Sequence, residues 1–175
     1  MLLRVARRAL HAVLSGAAWP EELSESVAPH LQRPGRAFVT LRRSGTLRGC
    51  IGHVAPDRPL VEVVWRVTML AATEDPRFPP VVREELDELR LEISVLTEPT
   101  RMGVADPACI EPGRDGVMVR RGRRQGLLLP QVATEQRWDA VALLVAVCRK
   151  AGLADDAWRR PDCELYVFQA DVFGE

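Results

Sequence analysis

Charge of one sign is missing from this chain: 24 acidic residues balance 24 basic ones, for a formal net charge of zero. That balance removes any general attraction to nucleic acid or to anionic lipid. Lysine is almost absent as well, because Lys150 is the only one among the 24 basic residues. The arginine excess is read as genomic base composition and given no functional weight. Paired cysteines are lacking too. The four at positions 50, 109, 148 and 163 form no CxxC pair, and their spacing suits neither a small disulfide scaffold nor a zinc site. Reduced thiols in a cytosol are expected. Nor is there a long apolar run. Met1 to Ala18 is apolar in places, but Arg4, Arg7, Arg8 and His11 interrupt it, so neither a secretion signal nor a membrane span fits and the cytoplasm is the default.

At 175 residues the chain suits one domain spanning its whole length, with a full hydrophobic core. An amphipathic helix is expected over residues 2–15, with Leu3, Ala6, Leu10, Val13 and Leu14 on the apolar face. Residues 19–35, with three prolines and a closing glycine, read as a loop holding at most one short helix. A strand from Phe38 to Arg43 turns at Ser44-Gly45 into a second strand carrying Cys50. A helix then starts near Pro59, burying Leu60, Val63, Val64, Val67, Leu70 and Ala71, and stops by Asp75-Pro76. After a proline-rich link and a short acidic segment, Leu89 to Leu96 alternates as a strand with one apolar face.

The second half repeats this order. Leu41-Arg42-Arg43-Ser44-Gly45 and Gly49-Cys50-Ile51 parallel Val119-Arg120-Arg121-Gly122 and Gly126-Leu127-Leu128. A helix from about Glu135 to Ala151, with Trp138, Val141, Ala142, Val145 and Cys148 as its stripe, and a strand from Glu164 to Ala170 complete the copy. The two repeats run over about 37–97 and 116–171, and they suggest an internal duplication. Cys50 aligns with Leu127, so the thiol is an addition to the scaffold.

The densest signal is Leu47-Arg48-Gly49-Cys50-Ile51-Gly52. Glycine weakens a strand and marks a bulge or a close approach to the backbone, so Gly49 and Gly52 suggest that something must come near Cys50. Strand alternation puts Arg48, Cys50 and Gly52 on one face, where a cation favours the thiolate. His53 falls on the opposite face, and only a bulge at Gly52 brings it round as a base for Cys50; a surface histidine is the simpler reading. A metal at Cys50 and His53 needs two more ligands, and no local pair supplies them, so no metal and no cofactor is expected. Asp75-Pro76-Arg77-Phe78-Pro79-Pro80 is either a helix stop with a rigid turn or a cleft edge where Arg77 meets a carboxylate or phosphate bidentately. Glu92 becomes an acid or base if its strand borders that of Cys50, and is otherwise a solvent-exposed residue. Arg114-Asp115 is a turn, Pro130 ends a strand, and Gln131 belongs to the structural copy of the motif.

Taken in order, LRGCIG, DPRFPP, LEISVL (Leu91–Leu96), Gly113-Arg114-Asp115-Gly116 and Gly126-Leu127-Leu128-Leu129-Pro130-Gln131-Val132 give the chain the pattern of an AMMECR-type domain, which it resembles from about Phe38 to its end. The resemblance implies one α+β domain with two strand-helix repeats and a strongly curved, mainly antiparallel sheet. It also implies component A of the three-part AmmeMemoRadiSam system, beside a Memo-like protein and a radical S-adenosylmethionine enzyme that would hold the iron-sulfur cluster. The family brings no settled reaction, and this chain departs from its commoner pattern at His53, where a small polar residue is more usual. Two functions therefore stand level. In one, Cys50 is a nucleophile or covalent carrier acting on a small molecule, modified nucleotide or peptide; Arg48 and Arg77 bind its anionic group, Glu92 handles protons, and Gly49, Gly52 and His53 line the site. In the other, the chain is a non-enzymatic partner that docks on the Memo-like or radical enzyme through the LRGCIG hairpin.

Overall fold

The computed structural model describes residues 1–15, 20, 27–103 and 105–175; the part of the loop over 19–35 that falls at 19 and 21–26 lies outside them. The chain divides into two compact units, Met1–Val95 with Asp171–Glu175, and Leu96–Ala170. Each has its own four-stranded sheet. The antiparallel strands and packed helices of the α+β class are all present.

In the first unit, α1 (Leu2–Ala12) gives way to a 3-10 turn at Val13–Ser15, so the expected helix ends three residues early. Its buried face is Leu2, Val5, Ala6, Ala9 and Leu10, while Leu14 is exposed. Of the 19–35 segment, Pro29–Gln32 forms a short 3-10 helix. Strands β1 (Ala37–Arg43) and β2 (Thr46–His53) form the hairpin. Ser44 and Gly45 both adopt positive φ, 50° and 79°, the backbone of a two-residue turn that follows strand twist. Helix α2 (Leu60–Thr73) starts after Pro59 as expected and is buried more widely than a single stripe, since Val61, Trp65 and Ala72 are also covered. Strand β3 (Leu89–Leu96) lies against β1, with Val39 opposite Ile93 and Leu41 opposite Leu91. These four side chains join α1 and α2 in one core. The sheet order is β2-β1-β3-β8, with β8 (Ala170–Gly174) from the chain end; β2 is therefore an open edge.

The second unit holds β4 (Thr100–Arg101), β5 (Gly116–Arg121), β6 (Arg124–Leu128) and β7 (Glu164–Phe168) in the order β4-β7-β5-β6. Its expected long helix is two helices, α3 (Pro130–Gln136) and α4 (Ala140–Lys150). Arg137, at φ 55°, closes the first in the left-handed conformation, and the Asp139 side chain caps the second by accepting the Ala142 N–H at 2.8 Å. Pro130 opens a helix rather than ending a strand. The restart at Asp139 resets the helical phase. The buried stripe is Leu143, Leu144, Val147 and Cys148, and Val141, expected inside, is 42% exposed.

Candidate functional site

An edge strand exposes unpaired backbone groups that must find partners elsewhere. At Cys50 the chain supplies them from the turn that follows α2. Asp75 Oδ2 accepts the Cys50 N–H at 2.8 Å, and Arg77 Nη2 donates to the Cys50 carbonyl at 3.3 Å. Arg77 is tied to the same carboxylate through Nε, Nη2 and its backbone N–H, at 2.9, 2.7 and 3.1 Å. The Asp-Pro-Arg turn thus stands in for a neighbouring strand at one residue of β2. The Asp75 side chain is only 2% exposed. Arg77 first, then the Cys50 and Arg77 N–H groups, outweigh that burial and hold its carboxyl well below the usual carboxylate range. The turn stops the helix and borders the Cys50 strand, and the carboxylate that Arg77 meets through Nε and Nη2 is the chain's own Asp75.

The thiol itself is half-buried. Thr40 Oγ1 donates to Cys50 Sγ at 3.3 Å from the directly opposed position on β1. Glu92 stands opposite Thr40 on its other side. Cys50, Thr40 and Glu92 therefore form a row across β2, β1 and β3. Two interstrand steps put the Cα atoms of Cys50 and Glu92 about 10 Å apart with Thr40 between them, too far for a direct bond. Asp75 chiefly raises the Arg77 pKa, and Cys50 adds a smaller effect in the same direction.

Arg48 is engaged elsewhere. The register slips between Leu41 and Arg42, leaving Arg48 as the extra residue of a bulge. Its Nε and Nη2 each donate to Glu85 at 2.8 Å, and Nη2 reaches the Pro80 carbonyl at 3.4 Å. Glu85, 6% exposed, also accepts from Arg43 and from the Val82 N–H. Arg48 foremost keeps its carboxyl ionised below the normal range. Arg48 Nη1 is buried and has no partner among the described residues. Phe78 lies under both guanidiniums, 6.0 Å from that of Arg48 and 5.5 Å from that of Arg77.

The glycines serve packing. A Cβ at Gly49 would collide with the Ala71 carbonyl oxygen of α2, and one at Gly52 with the Phe38 ring lying over it. The backbone approach they permit is that of the protein's own helix and ring. Pairing is regular from Cys50 to His53, with no bulge at Gly52, so His53 stays on the face opposite Cys50. Its Nε2 lies 2.6 Å from Asp57 Oδ1, and this contact chiefly lowers the Asp57 pKa. Among the described residues no group of three His, Cys, Asp or Glu side chains is placed to hold a metal.

Three residues here escaped the sequence reading. Thr40 was one of several polar alternations in its strand. Glu85 sat in an acidic segment resembling a solvated run, its one signal being its place three residues after Val82 at the start of a 3-10 turn. Phe78 stood in a turn motif without a cue that it would carry two cations.

The other cysteines differ in setting: Cys109 is exposed, Cys163 half-buried, and Cys148 fully buried with its thiol pKa pushed up by that burial. No helix among the described residues is long and apolar enough to cross a membrane.

A sequence model described as AMMECR1 matches residues 3–173. A protein of Methanothermobacter thermautotrophicus is 45% identical over 181 residues, covering 99% of this chain and 92% of its own. Another, of Methanopyrus kandleri, is 45% identical over 181 residues, covering 99% and 86%. The crystal structure of an uncharacterized protein from Pyrococcus horikoshii matches with a TM-score of 0.93 at 42% identity, over 99% of this chain and 89% of that one.

Proposed function

The chain belongs to the AMMECR1 family, and from that premise we propose that it carries a thiol site centred on Cys50 that acts on a small molecule. One observation carries the reading: the thiol of a half-buried cysteine accepts a hydroxyl bond from Thr40 while Asp75 and Arg77 fix its backbone from the open edge. Rigid placement of a nucleophile with a donor on its sulfur favours attack. In the step proposed, Cys50 Sγ bonds to an electrophilic carbon as that carbon's bond to its leaving group breaks. The thiol proton passes to the leaving group through solvent, since Thr40 separates Glu92 from the sulfur. The setting in which we propose that this happens is the AmmeMemoRadiSam system, with this chain as component A beside a Memo-like protein and a radical S-adenosylmethionine enzyme.

The test is alkylation of the native protein by neutral iodoacetamide, with each cysteine followed by peptide mass spectrometry. Cys50 is expected to react about tenfold or more faster than buried Cys148, since access and thiolate character set the rate. A Cys50 as inert as Cys148 would overturn the reading. The docking alternative then takes its place. It is favoured by Leu47 on the β1–β2 hairpin and Val82 beside the Glu85 cluster, 37% and 51% exposed, and it predicts that Cys50→Ser binds the partner enzymes as the wild type does.

A further inference from the structure

The donors left over around Cys50 describe what the thiol takes. Arg77 spends Nε and Nη2 on Asp75 and on the Cys50 carbonyl. Its Nη1 has no acceptor among the described residues, and its side chain is 53% exposed. Arg48, whose guanidinium lies 6.0 Å from the same Phe78 ring, has a buried Nη1 with no partner among the described residues. That nitrogen is closed off from solvent and therefore from a ligand, which leaves the exposed Arg77 Nη1 as the accessible donor.

The charges narrow the class of ligand. Arg43, Arg48 and Arg77 are answered one for one by Glu88, Glu85 and Asp75. Asp75 meets its neighbours through four hydrogen bonds, so its charge is turned inward. What remains is directional donors without surplus positive charge, a setting that suits a planar monoanion better than a dianion such as phosphate. Arg77 also donates Nη2 to the carbonyl of Cys50 itself, so an anion on the same guanidinium is held at the residue that carries the thiol. The reacting carbon and the anionic group must then be close together in the ligand.

We infer that Arg77, through its exposed Nη1, forms a carboxylate subsite beside Cys50, and that the ligand is a short organic acid whose electrophilic carbon lies one or two bonds from its carboxylate. This rests on the thiol reading above and names its substrate class.

Iodoacetate is the smallest probe of that description. Its methylene carbon bonds to Cys50 Sγ, iodide leaves with the bonding pair, and the thiol proton goes to buffer. Iodoacetamide has the same reacting carbon without the charge, and exposed Cys109 is an internal reference in the same molecule. The ratio of iodoacetate to iodoacetamide rates is expected to be about tenfold higher at Cys50 than at Cys109, as orientation by a guanidinium fork predicts. Malonate should slow iodoacetamide labelling of Cys50 and leave Cys109 unchanged, and phosphate at the same concentration should protect less. Arg77→Lys, which keeps the charge and loses the fork, should bring the ratio at Cys50 down to that of Cys109. Should this variant fold poorly by circular dichroism, malonate protection of the wild type decides. If Cys50 reacts readily with iodoacetamide but shows the Cys109 ratio and no protection, the subsite is wrong and the thiol reading survives. Stronger protection by phosphate than by malonate overturns the carboxylate assignment. If neither reagent labels Cys50 while Cys109 reacts, both readings fall.

Discussion

The two hairpins, β1–β2 and β5–β6, share a packing device and differ in the chemistry laid over it. In the first, Gly49 lets the Ala71 carbonyl of α2 approach the strand; in the second, Gly126 admits the Val147 carbonyl of α4, to which a Cβ would stand at 2.7 Å. Each glycine lies one residue before the position in question, Cys50 or Leu127. The row across the first sheet is Cys50, Thr40 and Glu92, and the matching row in the second is Leu127, Met118 and Tyr166. Both units therefore need the glycine for a helix to cross a strand, and only the first has a thiol, a hydroxyl and a carboxylate beside it. The glycine of LRGCIG belongs to the scaffold, and the cysteine to whatever the first unit does in addition.

The largest effect should come from Gly49→Ala, because a backbone carbonyl cannot swing aside. We expect a loss of about 3 kcal/mol by urea denaturation, at the upper end for overpacking, and about 2 kcal/mol for Gly126→Ala. Equal tolerance of alanine at both positions would break the comparison at its root.

Next comes the carboxylate latch, for which the second unit has a partial counterpart. Asp115 is buried, and Arg114 and the Glu111 N–H overcome that burial to lower its pKa, but it bonds no strand edge at a cysteine. Asp75→Asn should cost about 2 kcal/mol at neutral pH, as for loss of charge-assisted hydrogen bonds. The sign of the pH dependence follows from the lowered pKa. Stability from Asp75 is complete above its unfolded-state pKa of about 3.9 and fades as the pH falls toward the folded value. Denaturation midpoints between pH 5 and 2.5 should therefore drop more steeply in the wild type than in Asp75→Asn, with Asp115→Asn giving a smaller flattening. Parallel curves would show that Asp75 is not the latch described.

The smallest stability change should come from the substitution the second unit already carries. Cys50→Leu is expected to shift stability by less than about 1 kcal/mol, as for a half-buried site with one weak hydrogen bond, while abolishing covalent labelling there. A large destabilisation would make Cys50 a core residue and sharpen the contrast with Leu127 in the opposite sense.

Much of the fold was legible because its signals are local. The Ser44-Gly45 turn, the start of α2 after Pro59 and the bounds of β3 follow from turn chemistry and period. The second helical region was misread as continuous because apolar spacing ran through Trp138. The Asp139 cap and the left-handed Arg137 are separated by that tryptophan, and periodicity alone outweighed them. The site was legible in its centre and not in its contacts. Cys50, Arg77 and Glu92 could be named from motif and alternation, yet Arg48 looked like the thiol's cation by strand parity. A bulge and a glutamate 37 residues away claimed it instead.

By itself the sequence determined the order of elements in each unit, that the backbone at Gly49 is closely approached, and the family. These depend on residue spacing and on side chains that are present or missing at a given position. Only the tertiary structure decided which cation meets the Cys50 backbone, which carboxylate is buried, and which donors are left unpaired among the described residues. An edge strand's hydrogen-bond partners are set by where the chain returns in space. Asp75 reaches Cys50 across 25 residues of sequence because α2 folds back along the strand it covers.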